Sequence, residues 1–544
     1  MSIWAAVLAL TALWPVAPCR GAERSRPNFL FIFADDWGRL ASAYRQADGP
    51  GDLLDAVHTP NFDRVAAAGV LFRNAFVNAP SCTPCRSSLL SGQHFWRTGR
   101  GAILRDAYWE ERLPSWPLLL RDHGYRIGKS GKVWSPGMPA DAPFDGQRHA
   151  YEQSGRRIHQ FSQHATQMVA RGKSFAKSRD AILAEVRTNF RGFLADRGDQ
   201  QPFCYWFGPT NVHRPWVRGS GQALWGIDPD ALKGKLPPFL PDVAQVREDL
   251  ADHLGEVQAL DAALGALLAE LQESGQYDQT LIVISGDHGP PGFPHGKCNL
   301  YDFGTPVALA IAGPNVRGGR VVDDLVSLPD LAPTLLEAGG VEPPAEMTAR
   351  SLWPILRSDQ TGTVDPARTA VFIGRERHVA GARAGHLPYP QRAIRTAEYL
   401  FIINFRPQRY PLGDPYRLDG ADVPSPRELC HDTYVTLPDE DAGPTKAWLV
   451  EHRHDPAWKS YFDHAYGLRP REELFDLKRD PHQMRNVAAD PAHAGVIEPL
   501  RQRLLQELAQ TGDPRLVDDG AFFETPPMAG PPADAPAAPR RRRE

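Results

Sequence analysis

The chain has 544 residues, six cysteines and a formal net charge of −4, with a sequence pI near 6.5. That length exceeds what one hydrophobic core normally supports, so two unequal domains, or one large α/β domain with an appended lobe, are expected. The near-neutral charge excludes a polycationic nucleic-acid binder, and an anionic ligand has to be held by local Arg and Lys.

The N-terminus carries an apolar run from Ile3 to Trp14, followed by Pro15 and Pro18. The run is too short to span a bilayer and reads as a secretory h-region cleaved after Ala22, so residues 1–22 are a signal peptide and no stable membrane insertion is expected. The implied destination is the periplasm, the extracellular space or a lysosome-like compartment. One departure is the lack of Lys or Arg before the run. Asn28–Phe33 then forms a near-continuous apolar stretch, the mark of a strand buried on both faces, and it ends in Asp35 and Asp36.

The segment Ser81–Gly92 comes next. Pro84 has no backbone N–H to lose and suits the first turn of a helix, which places Cys82 at that helix's N-terminus, where oriented amides favour an anion. Arg86, one turn on, adds a planar cationic donor set. Cys82 and Cys85 alone would fit thiol redox chemistry or half a zinc site.

Further along, Tyr125–Ile127 leads into Gly128–Trp134, which holds Lys132. Phe203–Phe207 is a second buried strand, leading to Asn211 and His213. The stripe Leu250, Leu254, Val257, Leu260, Leu264, Leu267, Leu268 and Leu271 has helical spacing and is core packing. Leu281–Ser285 is a third buried strand, ending at Asp287 and His288, and Lys297 lies in the following Gly/Pro-rich loop 289–297. Val307–Ile311 is another strand candidate, and Asp330–Gly340 reads as a helix with Asp330 as its cap. After Arg357 the character changes. Ala370–Ile373, a hairpin over 394–405, Glu473–Leu477 and a last helix over 496–509 suggest an α+β lobe. The Pro/Ala/Arg-rich stretch 525–544 cannot bury a core and is expected to be disordered. The expected division is therefore a signal peptide over 1–22, a main domain over 26–357, the remainder of the core with a C-terminal subdomain over 358–524, and a tail over 525–544.

In parallel α/β sheets a ligand crevice lies beyond the carboxyl ends of the strands, so the three polar strand ends should converge. Carboxylates packed at one crevice are costly without a cation, so Asp35, Asp36, Asp287 and His288 read as ligands of one divalent ion. Three hard oxygen donors fit calcium or magnesium better than zinc.

The string Cys82-Thr83-Pro84-Cys85-Arg86, continued through Leu90-Ser91-Gly92, resembles the sulfatase signature, with Cys85 where the pattern usually has Ser. The resemblance, from Arg26 to about Pro491, is to formylglycine-dependent sulfatases of the alkaline-phosphatase superfamily. Leu71–Phe76, Asn299-Leu300-Tyr301 with Gly304-Thr305, and Glu473–Asp476 with Arg479–His482 are most similar to sulfamidase-like members acting on heparan. This implies a large, mixed, mostly parallel sheet flanked by helices, with a smaller C-terminal α+β subdomain on a short antiparallel sheet.

The resemblance further implies that Cys82 is converted to 3-oxoalanine by a separate formylglycine-generating enzyme. Modified Cys82, Asp35, Asp36, Asp287 and His288 would surround one calcium ion, with magnesium a poorer fit. Arg86, Lys132, His213 and Lys297 would hold the sulfate of a sulfated saccharide, heparan-type N-sulfoglucosamine being favoured. Nothing in the sequence fixes the oligomeric state. Two departures stand out. His288 replaces the Asn of sulfamidases, as in iduronate-2-sulfatase-like members, and Trp134 and Ser135 stand where many sulfatases carry a histidine that helps eliminate sulfate. His213, His295 or a water is expected to replace that base, or elimination is slow. The alternatives are an O-sulfatase on another sulfated polysaccharide, a phosphoesterase of the same superfamily with a Ser or Thr nucleophile, a thiol oxidoreductase, and an inactive glycan binder.

Overall fold

All seven residues of Asn28–Ala34 (β1) are buried. Phe29, Phe31 and Phe33 enter one apolar cluster while Leu30, Ile32 and Ala34 enter another. Alternate side chains of an extended strand point to opposite faces, so a strand covered on both sides must be apolar throughout. The computed structural model describes residues 26–49, 52–198 and 201–524. The leader expected over 1–22 and the tail expected over 525–544 lie outside the described residues.

The remaining strands of the main sheet are β2 (Val70–Phe76), β3 (Arg126–Gly131), β4 (Phe203–Gly208), β5 (Thr280–Gly286), β6 (Leu309–Ala312) and β7 (Arg320–Ser327). Their order is β3-β4-β1-β5-β6-β2-β7. β1 pairs in parallel with β4 and with β5, and β3 with β4. β6 runs antiparallel to both its neighbours, which makes the sheet mixed but mostly parallel. β4, β1 and β5 are thus adjacent and parallel, so their carboxyl ends open at one edge.

The leucine stripe becomes the 30-residue helix Ala244–Glu273, whose Leu250, Leu254 and Leu264 pack on the Leu30 face. The last long helix, Ala494–Gln510, packs Leu504 and Leu508 on the Phe29 face. Asp330 corrects one expectation. A short 3-10 turn, Leu328–Asp330, runs straight into the helix Leu331–Ala338, so Asp330 already has helical dihedrals and is not its cap. Its carboxylate instead accepts the Ser327 N–H at 3.1 Å and the Arg350 N–H at 3.0 Å.

The second sheet is antiparallel, β8 (Ala370–Arg375), β9 (Gln391–Thr396), β10 (Tyr399–Asn404) and β11 (Glu472–Asp476), in the order β11-β10-β9-β8. Ile394, Phe401 and Leu474 join the cluster that holds Phe31 and Leu504, so this lobe shares the main core. No described helix is long and apolar enough to cross a membrane.

Candidate active site

Three strand ends build the site. β1 passes into Asp35 and Asp36, and Asp36 takes a left-handed turn at φ 57°. Its N–H donates to Asp287 Oδ1 at 2.8 Å, while the Asp287 N–H donates to the Ala34 carbonyl at 3.1 Å, locking the ends of β1 and β5 together. At the edge of β3, the Lys132 N–H donates to the Gly208 carbonyl at 2.8 Å. A Cβ on Gly208 would lie 1.9 Å from the Lys132 carbonyl, so only glycine allows this approach.

The helix Cys82–Ser91 starts at Cys82, carries Pro84 in its first turn and ends at Gly92 in the left-handed conformation. Cys82 Sγ lies 3.5 Å from His288 Nε2 and 3.9 Å from Asp36 Oδ1. His288 Nε2 is also 3.2 Å from Asp36 Oδ1 and 3.6 Å from Asp287 Oδ1. Donor atoms of Asp36, Cys82 and His288, and of Asp35, Cys82 and Asp287, fall within 4.8 Å of one another, spacing that fits a shared metal ion.

Three cations face these carboxylates. Arg86 is fully buried, with Nε on Asp287 Oδ2 at 2.9 Å and Nη2 on Asp35 Oδ1 at 3.1 Å. Lys132 Nζ donates to Asp35 Oδ1 at 2.6 Å. Lys297 Nζ reaches Asp36 Oδ2 at 3.2 Å and Asp441 Oδ2 at 3.1 Å. Burial favours the neutral amine, but Asp35 beside Lys132, and Asp36 with Asp441 beside Lys297, outweigh it and raise both lysines above their ordinary range. Both therefore stay ammonium ions, suited to holding an anion and poorly suited to giving up a proton. Burial raises Asp35, yet Lys132 and Arg86 reverse this and hold its carboxyl well below the usual range.

His213 donates from Nδ1 to the Arg214 carbonyl at 2.6 Å, since a carbonyl can only accept. That aims Nε2 at the cluster, 3.3 Å from Lys297 Nζ and 3.7 Å from Asp36 Oδ2. Asp35, Lys132 and His213 line a cavity of about 670 Å³ together with Ser135, Arg156 and His164.

All nine residues singled out by sequence thus meet here, and His295 does not. Its Nε2 lies 2.7 Å from His464 Nε2 and its ring stacks on Phe239, because the loop turns it away at φ 62°. Of the two positions without the expected histidine, Trp134 is fully buried, donating from Nε1 to Ser87 Oγ at 2.8 Å and packing edge-on against Trp109, so it serves the core, whereas Ser135 lines the cavity.

Burial and Asp35 raise the Cys82 thiol well above its ordinary value, and burial and Asp287 do the same for Cys85. Both thiols are free, and their burial works against the thiolate that C-x-x-C redox chemistry uses. Cys85 instead belongs to the large apolar cluster that also holds Leu89, Phe95 and Trp96.

A family model described as Sulfatase matches residues 27–341, more than half of the chain. The chain belongs to the sulfatase family. It is accordingly a hydrolase of a sulfuric ester or sulfamide bond. The sulfatase is 29% identical to N-sulphoglucosamine sulphohydrolase of Homo sapiens, over 93% of this chain and 94% of the relative. It is 24% identical to an ulvan-active sulfatase of Formosa agariphila, over 90% and 76%. A structure solved with D-glucosamine-2-N,6-O-disulfate superposes with a TM-score of 0.60, covering 91% of this chain and 99% of the other at 18% identity. That agreement supports the fold, a mixed sheet with a smaller antiparallel one.

Two members of the sulfatase's site escape sequence reading. Asp441, in the C-terminal lobe, is the second counter-ion of Lys297. His378 Nδ1 lies 2.8 Å from Ser81 Oγ, the residue just before Cys82. Neither sits in a motif, and each meets its partner across more than a hundred residues. The only available signal was composition, an isolated His after a strand and an acidic Pro438–Asp441 run.

Proposed function

We propose that this sulfatase removes sulfate from a sulfated saccharide, N-sulfoglucosamine of the heparan type, using a formylglycine formed from Cys82 and one bound calcium ion. The observation that carries this reading is the meeting of Cys82 with three carboxylates, His288 and the cations Arg86, Lys132 and Lys297, beside a cavity lined by Asp35, Lys132 and His213. Similarity along nearly the whole length of N-sulphoglucosamine sulphohydrolase supports the choice of sugar. The apolar run before Ala22 supports export.

The donor set fits a hard dication. Asp35, Asp36 and Asp287 offer oxygen, His288 offers Nε2, and these atoms are already gathered within 4.8 Å groups. Asp35, Asp36, Asp287 and Asp441 balance all but one charge against Arg86, Lys132 and Lys297, so a dication would leave the site net positive and ready for an anion. When present, the metal and the hydrated aldehyde of residue 82 would supply a polarised sulfuryl oxygen and a nucleophilic hydroxyl.

The remaining work falls to the chain's own groups. Lys132 and Lys297, held as ammonium ions, bind non-bridging sulfate oxygens and stabilise charge that grows on them in the transition state. Arg86 acts from beneath, fixing Asp35 and Asp287 and adding positive potential. His213, partly exposed with Nε2 aimed at the cluster, protonates the departing nitrogen or oxygen. The same histidine is the candidate base for sulfate release, since Trp134 and Ser135 stand two and three residues after Lys132.

The test is sulfate release by protein coexpressed with a formylglycine-generating enzyme, on N-sulfoglucosamine and on glucosamine O-sulfates. Preferential release from the N-sulfate is expected, with the residue-82 peptide showing formylglycine by mass spectrometry. Release from O-sulfates alone would replace this with the second reading, an O-sulfatase, which His288 favours because iduronate-2-sulfatase-like enzymes share the Asp-His pair.

A further inference from the structure

Arg156 stands out on the cavity wall. The side chain is 67% exposed and its Nε holds Glu152 Oε2 at 3.0 Å. Among the described residues no partner is found for its two terminal nitrogens. Glu152 is otherwise committed, with Oε1 accepting the Gly131 N–H at 2.7 Å and lying 3.4 Å from His159 Nε2. Burial raises the Glu152 carboxyl, but His159 and the Gly131 amide outweigh it and keep it ionised. Gly131 immediately precedes Lys132, so Glu152 ties the rim arginine to the strand end that presents the sulfate-binding lysine.

The neighbouring arginine is different. Arg157 is spent on structure, with Nε on Glu185 Oε1 at 2.5 Å, Nη1 on Met168 Sδ at 3.4 Å and Nη2 on the Ala181 carbonyl at 3.4 Å. Arg214 is likewise paired with Asp249. Arg156 thus presents an oriented guanidinium fork with its outer edge open. It lines both the 670 Å³ cavity and an adjoining one of about 440 Å³, and Lys132 and Ser135 line both as well.

We infer that Arg156 is a specificity-determining residue that reads a second anionic group on the saccharide whose sulfate lies at Cys82. An open guanidinium edge matches a carboxylate or sulfate in bidentate fashion. The preferred substrate is therefore a doubly anionic sugar, its second charge being either another sulfate ester or the carboxylate of a linked uronic acid. This rests on the reading that the scissile sulfate is held beside Lys132 and Cys82.

The experiment compares sulfate release from three substrates: a singly sulfated glucosamine, the same sugar with a second sulfate ester, and the same sugar linked to a hexuronate. Wild-type protein should favour one doubly charged substrate, and which one identifies the source of the second anion. Arg156→Met should lower that preference about tenfold or more, through KM and with kcat nearly unchanged, as expected for loss of a charge-assisted pair. Its turnover of the singly sulfated sugar should fall far less than its turnover of the doubly charged one, and Arg156→Lys should keep part of the preference. An unchanged preference in Arg156→Met, or no wild-type preference, overturns the inference while leaving the site reading intact. No release from any substrate by wild type overturns the site reading, and the inference with it.

Discussion

Lys297 carries two carboxylates, and they come from opposite ends of the chain: Asp36 beside β1 and Asp441 from the C-terminal lobe. Asp441 is itself held well below the usual carboxylate range, burial being overcome by Lys297 and His213. Replacing it by Asn leaves Lys297 with Asp36 alone and free to swing, so Asp441→Asn should cost about tenfold in kcat/KM, with Asp441→Glu restoring part. Steady-state kinetics checks this, and unchanged kinetics would reduce Asp441 to a bystander. Arg86 is more exposed to failure because both its partners are buried. Arg86→Met should destabilise the fold by about 3–5 kcal/mol in urea unfolding, since it leaves Asp35 and Asp287 without their buried partner.

β1, β4 and β5 were legible in the sequence because burial on both faces forces unbroken apolar runs, and the polar residues just beyond them marked the site. β2 and β7 were not read as strands. Arg73 and Asn74 interrupt one and Asp323 and Asp324 the other, and only in the folded chain does Arg73 pair with Asp323 across the adjacent strands. Val307–Ile311 was correctly apolar, but periodicity carries no direction, and β6 proved antiparallel. Asp35-Asp36 and Asp287-His288 could be singled out because each pair follows a buried strand, whereas Lys132 was singled out only through the resemblance, a lone lysine carrying no signal of its own. His378 and Asp441 were hidden because their roles depend on which distant segment folds over the site.

Two predictions belong to these elements. Gly208→Ala should push Lys132 aside and reduce activity more than it reduces Tm, as measured on the same preparation. On the helix Ala244–Glu273, burial raises Asp252 and Glu256 to about 7, and the donors Ser162 and Asn211 only partly offset this for Glu256. Folded-state values above the unfolded ones mean that the folded chain holds these protons more tightly. The associated stability is full at pH below the ordinary carboxyl range and is lost as pH rises through about 7. Tm should fall between pH about 5 and about 8, and Glu256→Gln should flatten that slope. An unchanged slope would mean that Glu256 is not the group responsible.

At the scale of the molecule, the C-terminal lobe shares its core with the main sheet and reaches the candidate site. Leu504 and Leu508 share a core with Phe31, Arg392 pairs with Asp513 and Glu376 in full burial, and His378 and Asp441 reach the site. Residues 26–357 and 358–524 should therefore melt in one calorimetric transition, and two separated transitions would show independent domains. Residue 82 is the centre of the proposed chemistry. Inorganic sulfate released from the sulfated glucosamines should be measured side by side for wild type and Cys82→Ala, both coexpressed with the formylglycine-generating enzyme and matched in Tm. Turnover by wild type and none above background by Cys82→Ala is the predicted result. Equal release by the two proteins would contradict the assignment of Cys82 as the source of the nucleophile.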